Sequence, residues 1–232
     1  MSRIERTSAG DYVYHVLNRA NARVPAFESD KDYATFESIL EDAVAKYDMR
    51  LLAYCMMPNH WHLVLYPKND GDLIKFMGWL SNTHTRRWHM EKHTIGEGHL
   101  YQGRYKSFIC QNDDHFITLV RYVEQNALKA HLVKKAQDWR WSSVWRREYG
   151  NASQKKLLSA WPVAVPEDYL ILLNQLEMQP VEEEIENAIV KSKPYGDQDW
   201  VKKSVRKFGL EQTLRNAGRP FIRNDIQNQL FE

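Results

Sequence analysis

The 232-residue sequence predicts an α+β fold in which helices cover a four-stranded sheet. Some segments alternate in polarity or are rich in β-branched and aromatic residues, which predicts strands. Between them lie segments whose apolar residues recur at helical spacing, which predicts helices. Their order along the chain is β, α, β, β, α, β, α. A βαββαβ unit folds most economically as a ferredoxin-like or RRM-like sandwich, whose first and third strands are central neighbours. With 43% hydrophobic residues, the chain can bury a core of this size.

The first three predicted strands lie in the amino-terminal part of the chain. Residues 12–19 form the first strand, and we interpret His15 within it as a core or edge histidine. Ser29 and Asp30 offer a helix cap before residues 31–49, whose apolar side chains recur on one stripe. Residues 51–67 are two apolar runs broken by Pro58 and Asn59, which predicts a β-hairpin.

A helix, a strand and a second long helix follow the hairpin. Residues 73–89 show a helical apolar stripe and a basic end at Arg86 and Arg87. Residues 104–110 alternate in side-chain type and predict the fourth strand. Residues 111–114 provide the cap of a long helix over residues 115–133, which precedes a tryptophan-rich segment at 138–150.

Charge divides the rest of the chain into two parts. Between residues 151 and 190, two lysines stand against seven acidic residues, so we interpret residues 151–193 as an acidic connector with a helix near 168–178. Residues 194–232 form a basic helical extension with a short helix that ends at Gly209 and a Gly-Arg-Pro arm. A cationic tail after an acidic connector favours phosphate contact. The candidate contacts there are Lys202, Lys203, Arg206 and Arg219.

The composition excludes several classes of protein. A formal net charge of +2 is too small to indicate a nucleic-acid partner by itself. Cys55 and Cys110 lack a paired spacing, so we expect neither a zinc knuckle nor a disulfide framework, and a reducing compartment is indicated. No apolar run approaches the length of a membrane helix. We therefore expect a soluble cytoplasmic protein.

Two histidines open the second run of the hairpin. Because successive side chains of a strand alternate between faces, His60 and His62 project to one side and Trp61 to the other. Taken alone, such a pair is more often an ordinary half-exposed pair than a metal site. Tyr122 and Asn126, four residues apart, share one face of the long helix. Two imidazoles and an amide oxygen leave positions for phosphate oxygens and water, which suits Mg²⁺ or Mn²⁺.

A tyrosine beside such a metal indicates a specific reaction. Attack of the Tyr122 phenol on a phosphodiester gives a covalent phosphotyrosine, which conserves the bond for a later rejoining step. A phenol with a pKa near 10 is barely ionised at neutral pH, so the metal must polarise the phosphate while a base or water takes the phenolic proton. Glu124 is close in sequence, but we interpret it as a solvent-facing helix glutamate.

Five segments resemble the REP-associated tyrosine transposases, a branch of the single-tyrosine HUH transposases. They are MPNHWHLVLYP, GHLYQGRYKSF, RYVEQNALKAHLV, DWRWSS and PYGDQDWVKKSVRKFGLEQTLRNAGRP. The resemblance implies the HUH endonuclease fold, with residues 1–150 as the catalytic domain. It also implies His60 and His62 as metal ligands, Tyr122 as the nucleophile and Asn126 as the third ligand.

The sequence departs from the family pattern at several positions. Many relatives carry an aliphatic residue where Trp61 stands, and NPV or NPL where this chain has NAL. Because Trp61 faces away from the metal, we expect a change of packing there rather than of chemistry. Some relatives use a glutamine ligand, but Gln125 lies one position early and points about 100° away from Asn126, so Asn126 is the preferred ligand.

Family members nick single-stranded DNA that carries hairpins of repetitive extragenic palindromes, and leave a 5′-phosphotyrosine and a free 3′-hydroxyl. The resemblance therefore implies single-stranded or hairpin DNA as the partner and a nucleoid-associated location. Basic residues interleaved with aromatic ones support a grip on single strands independently. They are Arg86, Arg87, Arg104, Lys106 and Lys129, with Trp88, Tyr101, Tyr105, Trp139, Trp141 and Trp145. The alternative is that the tryptophans are core residues and the arginines are solvated.

Two other functions stay open from the sequence. One is a non-catalytic RRM-like regulator that binds single strands or hairpins and descends from a transposase. The other is a metal phosphodiesterase that uses water in place of Tyr122. The sequence also leaves open whether the protein is a monomer or a homodimer, and whether Tyr122 acts on its own histidine pair or on a partner's.

Overall fold

The computed structural model describes residues 7–21, 25–175 and 179–215. Its centre is a four-stranded antiparallel sheet in the order β2-β3-β1-β4. The strands are β1 (Val13–Arg19), β2 (Arg50–Met57), β3 (His60–Tyr66) and β4 (Lys106–Cys110). Pro58 and Asn59 form the turn between β2 and β3. The predicted α+β class and the central position of the first and third strands are both confirmed.

One face of the sheet packs against α1 (Asp30–Tyr47) and α2 (Asp72–Glu91). Ser29 and Asp32 form a capping box that starts α1, because each side chain accepts a hydrogen bond from the other residue's backbone N–H. Trp61 of β3 is buried on this face, and its Nε1–H donates to the Tyr101 hydroxyl at 2.8 Å. Trp61 therefore points away from its neighbouring histidines, as the alternation predicts.

The helices that follow β4 complete the fold. They are α3 (Asp114–Glu124), α4 (Asn126–Lys129), α5 (Ser143–Tyr149), α6 (Ala152–Lys155), α7 (Tyr169–Asn174), α8 (Gln179–Lys191) and α9 (Gln198–Phe208). Helices α3, α7 and α8 bury Phe116, Leu173 and Ile185 in the core on the second face of the sheet. Gly209 caps the end of helix α9, as predicted. It adopts a left-handed conformation (φ 62°), which favours glycine and stops the helix.

The prediction of one long helix over residues 115–133 was wrong. The chain breaks its helical pattern at Gln125, and α4 ends at Lys129. The side-chain amide of Asn126 donates to the backbone oxygens of Tyr122 (2.9 Å) and Val123 (3.1 Å), in competition with the backbone N–H groups. Gln125 is fully buried, and its side-chain amide donates to the backbone oxygens of residues 173 and 175. These hydrogen bonds hold the interruption between α3 and α4 against the end of α7.

The acidic connector holds more structure than the sequence indicated. The helix expected near residues 168–178 is the shorter α7, and residues 176–178 lie outside the described ranges. Helix α8 was not predicted, although it packs against β4. The division of the chain at residues 150 and 193 stays a prediction.

Two further features complete the description of the fold. Cys55 and Cys110 are buried free thiols. Among the described residues, no helix is both long enough and apolar enough to cross a membrane.

Candidate active site

The histidine pair lies on the second face of the sheet, on central strand β3. His62 pairs in register with Leu17 and His60 with Arg19, so both imidazoles stand beside the end of β1. Their ring centroids are 5.1 Å apart. Nδ1 of His60 is 2.6 Å from Oδ1 of Asn59; because an amide oxygen can only accept, Nδ1 carries the proton and Nε2 carries the lone pair.

Both histidines are held in the neutral form that can bind a metal. Burial lowers the pKa of His60 to about 4, and the positive charge of Arg19 acts in the same direction. Burial also lowers the pKa of His62 well below its usual value, followed by the effects of His60 and His15. Nε2 of His62 is buried without a hydrogen-bond partner among the described residues.

Tyr122 and Asn126 come to the histidines from the helices above the sheet. Tyr122 is 9% exposed, and its ring centroid lies 6.0 Å from that of His62. The Asn126 side chain uses its NH₂ group within its own helical turn, so its Oδ1 is the atom left for a cation. The spacing of four residues thus brings a phenol and an amide to the same place, as the sequence indicated.

All four residues line one open cavity of about 790 Å³. Its walls come from all four strands, the segment before β4, helices α3 and α4, and helix α8. The charged residues among them are Arg19, Arg104, Lys106, Lys129, Glu182 and Glu186. The cavity therefore combines cations suited to phosphate with two carboxylates from the acidic connector.

Electrostatics at Tyr122 disfavour its ionised form. Burial is the main cause and raises the pKa of Tyr122 to about 12, with further increases from Glu186 and Glu182 and an opposing effect from Arg19. Nζ of Lys129 lies 5.0 Å from the Tyr122 ring centroid and forms an ion pair with Glu182 at 2.7 Å. The phenol is therefore the stable form of Tyr122 at neutral pH.

The donor set can be tested against the metal that the sequence predicts. Among the described residues, no three His, Cys, Asp or Glu side chains come together as a metal site. Two imidazole nitrogens and the amide oxygen of Asn126 are nevertheless available at the cavity, and the unpaired Nε2 of His62 is the kind of atom that a cation satisfies. These residues suit Mg²⁺ or Mn²⁺ with further coordination positions left open.

The structure separates the predicted DNA contacts into groups. Arg104, Lys106 and Lys129 line the cavity. Arg86 and Arg87 are exposed on α2, on the opposite side of the sheet. Exposed Lys202, Lys203 and Arg206 lie on α9 and do not line the cavity, and Arg219 lies outside the described residues.

The interpretation of Glu124 was wrong. Glu124 is fully buried, not solvent-facing, because it accepts hydrogen bonds from Tyr169 (2.7 Å), Ser143 and Arg147. Among the aromatic residues considered for base stacking, Tyr101, Tyr105 and Trp141 are core residues, at most 7% exposed. They are covered by packing within the protein and offer no open face to a base.

Three residues at the cavity were missed by the sequence analysis. Leu17 pairs with His62, and Arg19 follows Leu17 by two residues, so alternation along β1 could have placed Arg19 on the same face as the histidines. Glu182 and Glu186 are four residues apart and share a face of α8, but that helix itself was not predicted. No local signal places α8 above the sheet.

Two histidines on a central strand beneath a helix-borne tyrosine form the arrangement that the resemblance to the HUH tyrosine transposases implies. Residues 8–126, just over half of the chain, match the family model described as Transposase IS200 like. The chain belongs to this family of tyrosine transposases, which act as DNA endonucleases and strand transferases.

Individual relatives agree with the resemblance found in the sequence. A Haemophilus influenzae protein assigned by name to the REP-associated tyrosine transposases is 24% identical over 119 residues, which are 48% of this chain and 68% of the relative. A solved REP-associated tyrosine transposase, bound to a REP hairpin, superimposes with a TM-score of 0.53. It is 18% identical, and the match covers 72% of this chain and 93% of the other. This likeness supports the fold.

Proposed function

We propose that this transposase nicks and rejoins single-stranded DNA at hairpin-forming repeats through a covalent 5′-phosphotyrosine on Tyr122. One observation carries the proposal: His60, His62, Tyr122 and Asn126 line the same cavity. The solved relative bound to a REP hairpin supports hairpin DNA as the substrate. A DNA substrate also supports the expected nucleoid-associated location in the cytoplasm.

The residues around the cavity have separate roles in this proposal. His60, His62 and Asn126 would hold Mg²⁺ or Mn²⁺, which would supply Lewis-acid polarisation of the scissile phosphate. Arg104 and Lys106 contribute positive charge on the cavity wall, which attracts the DNA backbone.

Tyr122 performs the bond exchange. Its phenolic oxygen attacks the phosphorus while the bond to the 3′-oxygen breaks, and the 3′-oxygen takes up a proton to become a hydroxyl. The phenolic proton passes to water or a nearby base, and the 5′ phosphate stays on Tyr122. Rejoining reverses these steps with a 3′-hydroxyl as the attacking group. Arg19 lowers the pKa of Tyr122 and so favours the attacking form.

A hairpin oligonucleotide labelled on the part 3′ of the cleavage site tests the proposal. With Mg²⁺ or Mn²⁺, the wild-type protein should form an adduct that survives denaturing electrophoresis, and a chelator should abolish it. Tyr122→Phe should lose the adduct and keep hairpin affinity. Tyr149→Phe is the matched control, because Tyr149 is 56% exposed and lies outside the cavity.

Two outcomes would contradict the proposal in different ways. Cleavage that persists in Tyr122→Phe would indicate a phosphodiesterase that uses water. Tight hairpin binding without cleavage under any divalent metal would indicate a non-catalytic DNA-binding regulator.

A further inference from the structure

A third histidine lies behind the predicted metal ligands. His15 on β1 is 1% exposed, and its Nε2 is 2.9 Å from Nδ1 of His62. The ring of His15 also packs against Phe108, with 5.0 Å between ring centroids. The reaction described above gives His15 no role, and its position on the same face of the sheet as His62 follows from strand parity.

The contact between His15 and His62 requires one donor and one acceptor. A neutral imidazole carries one N–H and one lone pair, and two nitrogens 2.9 Å apart need one of each between them. Two arrangements are possible: either Nδ1–H of His62 donates to Nε2 of His15, or Nε2–H of His15 donates to Nδ1 of His62. The choice decides whether Nε2 of His62, a residue that lines the cavity, carries a lone pair or a hydrogen.

Only the first arrangement makes His62 a metal ligand through Nε2. In the second, the buried Nε2–H of His62 has no acceptor among the described residues, whereas a cation satisfies the lone pair of the first. His60 has a similar arrangement, since its Nδ1–H donates to Oδ1 of Asn59, which leaves the lone pair on its Nε2. Each histidine of the pair thus has an Nδ1 partner of its own.

We propose that His15 is a positioning residue, which accepts the Nδ1–H of His62 and so directs the Nε2 lone pair of His62 into the cavity for a divalent cation. This inference rests on the proposed function, because the cation is the one held by His60, His62 and Asn126. His15 itself does not touch the cation or the DNA. It fixes the tautomer and the orientation of the ring that does.

A pair of substitutions separates hydrogen bonding from packing. In His15→Gln, the amide oxygen reaches about as far from Cβ as Nε2 of histidine and can accept the same hydrogen bond. In His15→Phe, a ring of similar shape fills the space without an acceptor. We expect His15→Phe to weaken Mn²⁺ binding about 10- to 100-fold and His15→Gln to remain near the wild type.

Two readouts test this without measuring catalysis. Long-range ¹H–¹⁵N NMR of the metal-free protein reports which nitrogen of His62 carries hydrogen, and we expect Nδ1–H in the wild type and in His15→Gln. Mn²⁺ titration followed by electron paramagnetic resonance gives the affinity of each variant. His62→Ala serves as the reference for loss of a ligand, and thermal unfolding checks that each variant folds.

The outcomes distinguish this inference from the proposed function. If His62→Ala binds Mn²⁺ as tightly as the wild type, the proposed metal site itself is wrong. If His62→Ala loses Mn²⁺ but His15→Phe binds it normally, or if both His15 variants lose it equally, the positioning role is overturned and the metal site stands. An Nε2–H tautomer of His62 in the wild type would also overturn it, even if His15→Phe does not fold.

Discussion

The two carboxylates of α8 at the cavity give a quantitative prediction for Glu186→Gln. Raising the pKa of Tyr122 from 10 to about 12 adds about 2.7 kcal/mol to the cost of forming the phenolate. Burial is the largest cause and Glu186 the next, so the charge of Glu186 accounts for the smaller part. We expect its removal to lower the pKa of Tyr122 by about one unit or less and to speed adduct formation by up to about tenfold.

The assay is single-turnover adduct formation with a hairpin oligonucleotide at saturating protein and fixed pH. Saturation removes the effect of Glu186 on DNA affinity, so the rate reports the chemical step. Glu184→Gln is the matched control, because Glu184 lies on the same helix and is exposed, but does not line the cavity. An unchanged rate in Glu186→Gln, or an equal increase in Glu184→Gln, would refute the assignment of a local effect on Tyr122.

Three further predictions concern binding and stability. Replacing Lys202, Lys203 and Arg206 by glutamine should make hairpin affinity less dependent on salt. The slope of log affinity against log salt concentration should fall in magnitude by about 0.7–0.9 for each DNA phosphate that the protein no longer neutralises. The control variant Lys155→Gln/Lys156→Gln should leave the slope unchanged. Burial lowers the pKa of His84 from 6.5 to about 3, so the unfolded state takes up the proton first and stability falls as pH decreases below 6.5. This costs about 1.4 kcal/mol per pH unit, and urea denaturation at several pH values should show a shallower dependence for His84→Gln. Glu124→Leu should cost about 3–5 kcal/mol in the same assay, because it removes the acceptor of the buried Tyr169 hydroxyl and the carboxylate that pairs with the half-buried Arg147. A loss below about 1 kcal/mol would contradict this.

Local geometry explains why much of the fold and site could be predicted from sequence. Strand alternation puts His60 and His62 on one face whatever the tertiary structure, and helical spacing does the same for Tyr122 and Asn126. The βαββαβ order then leaves few ways to arrange the sheet, and the observed strand order is the expected one.

What could not be predicted depends on contacts between distant segments. Glu124 has the sequence context of a surface helix residue, but Tyr169, 45 positions away, donates to it inside the protein. The acidic composition of α8 indicated a solvated connector, whereas its Ile185 and Ala188 are buried against the sheet. The contact of His15 with His62 joins two strands 47 residues apart, and no short-range pattern reveals it.

The most direct test of the central claim is to locate the DNA adduct by mass spectrometry. Trypsin releases residues 122–129, YVEQNALK, whose only tyrosine is Tyr122. After the wild-type protein reacts with a hairpin oligonucleotide and a nuclease trims the DNA, this peptide should carry the mass of a 5′-linked nucleotide. A nucleotide on another peptide, or cleaved DNA with an unmodified 122–129 peptide, would contradict the account.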